Sequence, residues 1–166
     1  MRSIDDTNTF LNDEWCAMFV SFVMKKANVG VPKFYGCSTF WATYKDKPGF
    51  YDIVASNHQS YITKSSSHRV ANWNEIKPGD ILLFRWPDAK SHVARNHTGI
   101  CKSVQKNAYG DVISITAIEG NTGTGGYSNT KVSIKTYSGT SRSSYSSLTN
   151  IVSFVDIQAV KNRGGW

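Results

Sequence analysis

The chain has 166 residues, with 19 Lys and Arg against 12 Asp and Glu, a formal net charge of +7, four His and three Cys. That length suits one domain, and 40% apolar with 13% aromatic residues excludes a disordered polymer. No apolar run approaches the ~18 residues of a membrane span, and three widely spaced Cys with no CxxC exclude a disulfide framework and the common zinc knuckles.

In chain order, the first ten residues are polar and acidic, so no secretory signal is expected. Asn12 and Asp13 are N-cap candidates. Trp15, Met18, Phe19, Phe22 and Val23 then recur at helical spacing, with Lys25 and Lys26 in the last turn and Gly30 and Pro32 as stops. The pattern predicts a helix over 13–28. Ser38 is expected to cap a second helix carrying Phe40, Trp41 and Tyr44, which ends at Lys47-Pro48-Gly49. Residues 50–76 lack periodicity and read as an irregular loop.

From Lys77 the pattern changes. Lys77-Pro78-Gly79-Asp80 is a turn, and Ile81–Phe84 is a short apolar run that suits a buried strand. Further strands are expected at Thr98–Val104, Val112–Ile118, Lys131–Tyr137 and Ile151–Ile157, with a tight turn at Asn107–Asp111. Helices first and strands afterwards imply an α+β fold. The expected architecture is N-terminal helices packed on a five- to six-stranded, mostly antiparallel sheet. One domain over 1–160 is expected, with 161–166 as a tail or the start of a linker.

Cys16 falls in the first turn of the first helix. There the backbone N–H groups are unpaired and the helix end is positive, which favours a reactive thiolate. A buried, inert thiol is the plainer reading of that position. A nucleophilic Cys needs a base, and His97 opens a predicted strand just after a long polar loop. His58, His68 and His92 read as solvated loop residues. If the strands around the Asn107–Asp111 turn form a hairpin, Glu119 lies beside His97 and can fix its tautomer. Asn121, two residues further along an extended chain, points to the same side. Taken alone, Glu119-Gly120-Asn121 also reads as a polar strand end.

Trp15-Cys16 at a helix head, Lys77-Pro78-Gly79-Asp80-Ile81, His97-Thr98-Gly99-Ile100 and Glu119-Gly120-Asn121 together resemble the CHAP domain. That family comprises Cys- and His-dependent amidohydrolases and peptidases of peptidoglycan, with a papain-like fold related to the NlpC superfamily. The resemblance covers about residues 10–158. It implies Cys16 as nucleophile, His97 as base and Glu119 as orienter, with Asn121 assisting. The Cys16 N–H would hold the oxyanion, and Trp15, Trp86 and Tyr127 would line the substrate groove. Cys37 and Cys101 read as structural. Some phage lysins of this family carry a calcium-binding Asp-rich loop before the nucleophile. Here Asp5, Asp6 and Asp13 are scattered, so no cofactor or metal is expected.

The implied substrate is an amide bond of bacterial peptidoglycan. Both N-acetylmuramoyl-L-alanine amidase and stem or cross-bridge endopeptidase are open. A net charge of +7 with no nucleic-acid motif points to anionic wall polymers rather than nucleic acid. A monomer without membrane insertion is expected. It would act on the cell wall, as a phage enzyme released from the host cytoplasm or as a domain of a secreted protein. Two other readings compete. One is a non-catalytic cationic wall-binding module. The other is a zinc amidase using His92, His97 and Glu119 or Cys16, whose spacing does not match HExxH.

Overall fold

The computed structural model describes residues 15–53, 69–86, 95–122, 131–139 and 147–166. Among them the chain runs α1 (Cys16–Lys26), α2 (Cys37–Tyr44), β1 (Phe50–Ile53), β2 (Val70–Ala71), a 3-10 turn (Trp73–Glu75) and β3 (Ile81–Phe84). Then follow β4 (His97–Lys106), β5 (Val112–Thr122), β6 (Lys131–Ser138), a second 3-10 turn (Ser147–Asn150), β7 (Ile151–Val155) and α3 (Ile157–Lys161). No helix among them is long and apolar enough to cross a membrane. The seven strands of the described residues form one sheet in the order β2-β1-β7-β3-β4-β5-β6. Of these strands only β1 and β2 pair in parallel. The α+β class and the mostly antiparallel sheet are as the sequence predicts.

The short run Ile81-Leu82-Leu83-Phe84 explains why the sheet is covered on both faces. Ile81 and Leu83 join Cys16, Val20, Phe40 and Val155 on the helix side. Leu82 and Phe84 join Trp73, Ile115, Tyr137 and Phe154 on the other. All four residues are fully buried, and period-two alternation sends successive side chains to opposite faces. The Lys77–Asp80 turn aims this strand. Gly79 takes φ +97, the Asp80 N–H reaches Lys77 O at 3.2 Å, and Asp80 Oδ2 accepts from the Lys77 N–H at 2.8 Å. Pro then Gly is the sequence such a turn needs.

Several expectations change. The sheet has seven described strands, because 50–76 is not all loop: β1, β2 and the Trp73–Glu75 turn lie in it. Asp52 disguises β1, being a buried charge where alternation would ask for an apolar residue. It is held by Arg95 Nη2 at 2.8 Å, by Ser153 Oγ and by Trp41 Nε1 at 3.0 Å. Helix α1 begins at Cys16, and the expected caps Asn12 and Asp13 lie outside the described residues.

Its buried face is Cys16, Ala17, Val20, Ser21 and Met24, while Phe22, in the predicted stripe, is half exposed. The helix is apolar on most sides, so the stripe is ambiguous. Ser21 settles the rotation, because its Oγ donates to Phe34 O and accepts from Phe34 N–H, both at 2.9 Å. Gly36, not Ser38, precedes α2. Ser38 Oγ instead donates to Arg95 O at 2.6 Å.

β7 stops at Val155, because Asp156 accepts from the Ala159 N–H and caps α3. Within 161–166, Trp166 packs back on the helix side. The Trp166 indole donates to Pro48 O at 2.8 Å and stacks on Tyr44 at 5.3 Å. A Cβ on Gly30 would meet Gly165 Cα at 2.7 Å, and Gly30 itself takes φ +81. Two glycines are therefore what lets the C-terminus close over the helix side.

Candidate active site

Cys16 is the first residue of α1, preceded by Trp15, which makes no side-chain cap. The first-turn N–H groups are thus left facing the sulfur's end of the helix. The thiol is buried, 3% exposed. The hydrogen bond with Cys37 lowers its pKa most, burial opposes this, and His97 adds hydrogen-bonding and charge effects, so that it falls to about 5. The two sulfurs lie 3.9 Å apart.

His97 opens β4 opposite Phe84 of β3, as Gly99 lies opposite Glu119 of β5. Its Nε2 lies 2.9 Å from Glu119 Oε2. Nδ1 is therefore the nitrogen left for Cys16. Burial alone would lower the imidazole pKa; bonds to Cys16 and Glu119 outweigh it and push it up to about 9. A thiolate and an imidazolium are thus paired through the neutral range.

Glu119 is fully buried. Its second oxygen, Oε1, accepts from the Tyr137 hydroxyl at 2.6 Å, and Lys135 Nζ stands 3.9 Å from Oε2. Burial first, then Glu119, push the phenol up, so it stays a donor. Sequence reasoning misses Tyr137. It lies on the strand beyond Glu119, where the pattern shows only the end of an alternating run.

The glycines beside these residues have steric reasons. A Cβ on Gly99 would stand 2.7 Å from Glu119 Cγ and 2.9 Å from Ile118 O. A Cβ on Gly120 would stand 2.7 Å from both Phe19 Cβ and Trp15 Cζ3. Gly99 thus gives the carboxylate its path to His97, and Gly120 lets the head of α1 rest on β5.

The start of β4 is anchored as well. Arg95 N–H donates to Ser38 Oγ at 3.2 Å, and its guanidinium is paired with Asp52 and lies 4.4 Å from the Trp41 ring centre. This buried tether fixes the chain two residues before His97.

The remaining predicted residues are placed differently. Asn121 takes φ +59 at a register shift between Glu119 and Thr122, so the extended-chain argument for its direction does not hold. Its Oδ1 is buried without a hydrogen-bond partner among the described residues. Trp86 stacks on Phe84 at 5.8 Å and stands 6.4 Å from the His97 ring. Trp15 packs edge-on against Phe19. Tyr127 and His92 lie outside the described residues. Among the described residues no three His, Cys, Asp or Glu side chains converge as a metal site would. Burial pushes the Cys101 thiol up to about 12, which suits an inert core residue.

Residues 7–121 match the family model of the CHAP domain. That span is more than half of the chain. The chain belongs to the CHAP family. CHAP domains are typically Cys- and His-dependent amidohydrolases and peptidases of peptidoglycan, and their fold is papain-like. The match contains Cys16, Cys37, His97 and Glu119, whereas Tyr137 lies beyond it. No curated protein and no solved structure matches the chain.

Proposed function

We propose that this CHAP domain hydrolyses an amide bond of bacterial peptidoglycan through a Cys16 acyl-enzyme. The observation that carries the reading is the array in which Cys16 opens a helix beside His97 while Glu119 holds the far ring nitrogen at 2.9 Å. The Cys16 thiolate attacks the scissile carbonyl. The imidazolium of His97 gives its proton to the leaving amine. Neutral His97 then takes a proton from water, which attacks the thioester and frees Cys16. Glu119 keeps the ring in one tautomer and stabilises its charged form. The Cys16 N–H at the start of α1 is suited to the oxyanion. Asn121 stands near this end of β5 as an assisting residue, and Trp15, Trp86 and Tyr127 are candidates for contact with the glycan or its stem peptide.

Turbidity loss of purified cell walls tests the reading. Cys16→Ala and His97→Ala should abolish lysis, and Glu119→Gln should lose less than either. Full lysis by Cys16→Ala would overturn it. Mass spectrometry of the digest identifies the bond: a lost muramoyl–L-alanine link means amidase, and a new amino terminus within stem or cross-bridge means endopeptidase. The net charge of +7 draws the enzyme to anionic wall polymers, so lysis should weaken as salt rises. Lysis indifferent to ionic strength would remove that part alone.

A further inference from the structure

Among the described residues, Cys37 is the nucleophilic side chain beside the candidate site that the mechanism above leaves without work. It is the first residue of α2, as Cys16 is of α1. The heads of two helices therefore meet at one pair of sulfurs, 3.9 Å apart and both buried, at 3% and 6% exposure. Two sulfurs this close inside a protein cannot both be anionic, because like charges at that distance repel strongly out of water. One proton stays between them. The charge of His97 favours the thiolate at Cys16, so the negative charge belongs on Cys16 and the proton on Cys37.

We propose that Cys37 is a positioning residue for the nucleophile: its S–H donates to the Cys16 sulfur and holds that sulfur toward His97. This rests on the reading of Cys16 as nucleophile. It gives Cys37 a role that no packing argument supplies. A thiol that only filled space could be exchanged for any group of its size, whereas a donor can be exchanged only for another donor. The lowered pKa of Cys16, in which the contact with Cys37 is the largest cause, agrees with this.

The test is the pH dependence of iodoacetamide alkylation at Cys16, read by mass on the peptide that contains it. Only the thiolate reacts, so the midpoint reports its stabilisation without any wall substrate. Wild type should show a midpoint well below that of a free thiol. Cys37→Ala should raise the midpoint by about one pH unit or more and slow alkylation at pH 4, below both midpoints, roughly tenfold. Cys37→Ser, which keeps a donor, should stay within about half a unit of wild type.

A circular dichroism melt establishes that each variant is folded. Should Cys37→Ala not fold, Cys37→Val, which fills the space and donates nothing, takes its place with the same expected shift. An unmoved midpoint in the non-donor variant overturns the proposal. So does a Ser variant displaced as far as the non-donor, or a wild-type midpoint at the free-thiol value. Walls left intact by an enzyme with the expected midpoints would refute the hydrolase reading and leave this one standing.

Discussion

Tyr137→Phe removes one oxygen from a position that no substrate is expected to touch, yet it should damage both stability and turnover. The hydroxyl gives Glu119 Oε1 a hydrogen bond of 2.6 Å, and Glu119 is fully buried. The other oxygen is engaged by His97 at 2.9 Å. Lys135 stands 3.9 Å from that same oxygen, not from Oε1, and its side chain is about half exposed. The substitution would therefore leave a buried carboxylate oxygen without its donor. Losing a bond to a charged group and stranding its acceptor costs about 2–3 kcal/mol.

For a chain of this size that lowers the melting temperature by roughly 5–10 °C. If about 1.4 kcal/mol of the loss falls on the transition state, turnover drops about tenfold. Calorimetry and initial lysis rates measure the two. A double-mutant cycle with Glu119→Gln isolates the mechanism. Once the carboxylate charge is gone the Tyr137 change should matter less, with a coupling of about 1 kcal/mol or more. Additive losses, or a Tyr137→Phe enzyme with wild-type melting and rate, would refute the reasoning.

The rate of wall lysis should be bell-shaped in pH. As pH falls through about 5 Cys16 takes up a proton and the nucleophile is lost; as it rises through about 9 His97 gives up the proton the leaving amine needs. The two limbs belong to the pair rather than to either residue, and a profile that rises only near pH 8.5, where free thiols ionise, would contradict this. Gly99→Ala puts a methyl 2.9 Å from Ile118 O, a backbone atom in a paired strand that has little room to give. It should cost about 1–3 kcal/mol and lower turnover by pushing Glu119 off His97; unchanged melting and rate would count against it. Asp52→Asn takes the carboxylate from a buried guanidinium and should cost about 3–5 kcal/mol in urea unfolding. A loss under about 1 kcal/mol would mean that Ser153 and Trp41 suffice to hold Arg95.

What can be read ahead of the structure is what local sequence controls. Cys16 heads a helix because an amphipathic run follows it. His97 and Glu119 meet because a tight turn at Asn107–Asp111 fixes the hairpin, and the observed register sets Gly99 opposite Glu119. What stays hidden depends on contacts between distant segments. Tyr137 is 18 residues from Glu119, Cys37 is 21 from Cys16, and Asp52 is 43 from Arg95. Each is a polar group whose burial makes sense only beside its partner. The edge strand β6 misleads further. Its alternating Val132 and Ile134 are 48% and 60% exposed, while Tyr137 at its end is buried, so apolar alternation marks the solvent side and the useful residue stands on the other parity.

The two faces of the sheet explain why His97 must open its strand. Cys16 comes from the helix-side core, with Ile81, Leu83 and Ile100. Tyr137 comes from the opposite core, with Leu82, Phe84, Ile115 and Ala117. Glu119 follows Ile115 and Ala117 in alternation and shares their face. Cys16 and Glu119 therefore approach from opposite sides of one sheet. An imidazole in mid-strand would lie on one face only and reach one of them. At the first residue of β4 the ring stands at the sheet's end, where the faces meet, with Nε2 on Glu119 and Nδ1 left for Cys16. The Arg95 tether to Ser38 and Asp52 holds that end of the strand in place. Inserting a residue between His97 and Thr98 would turn the ring to the other parity and part it from one partner. An insertion there should thus abolish activity while the sheet still forms.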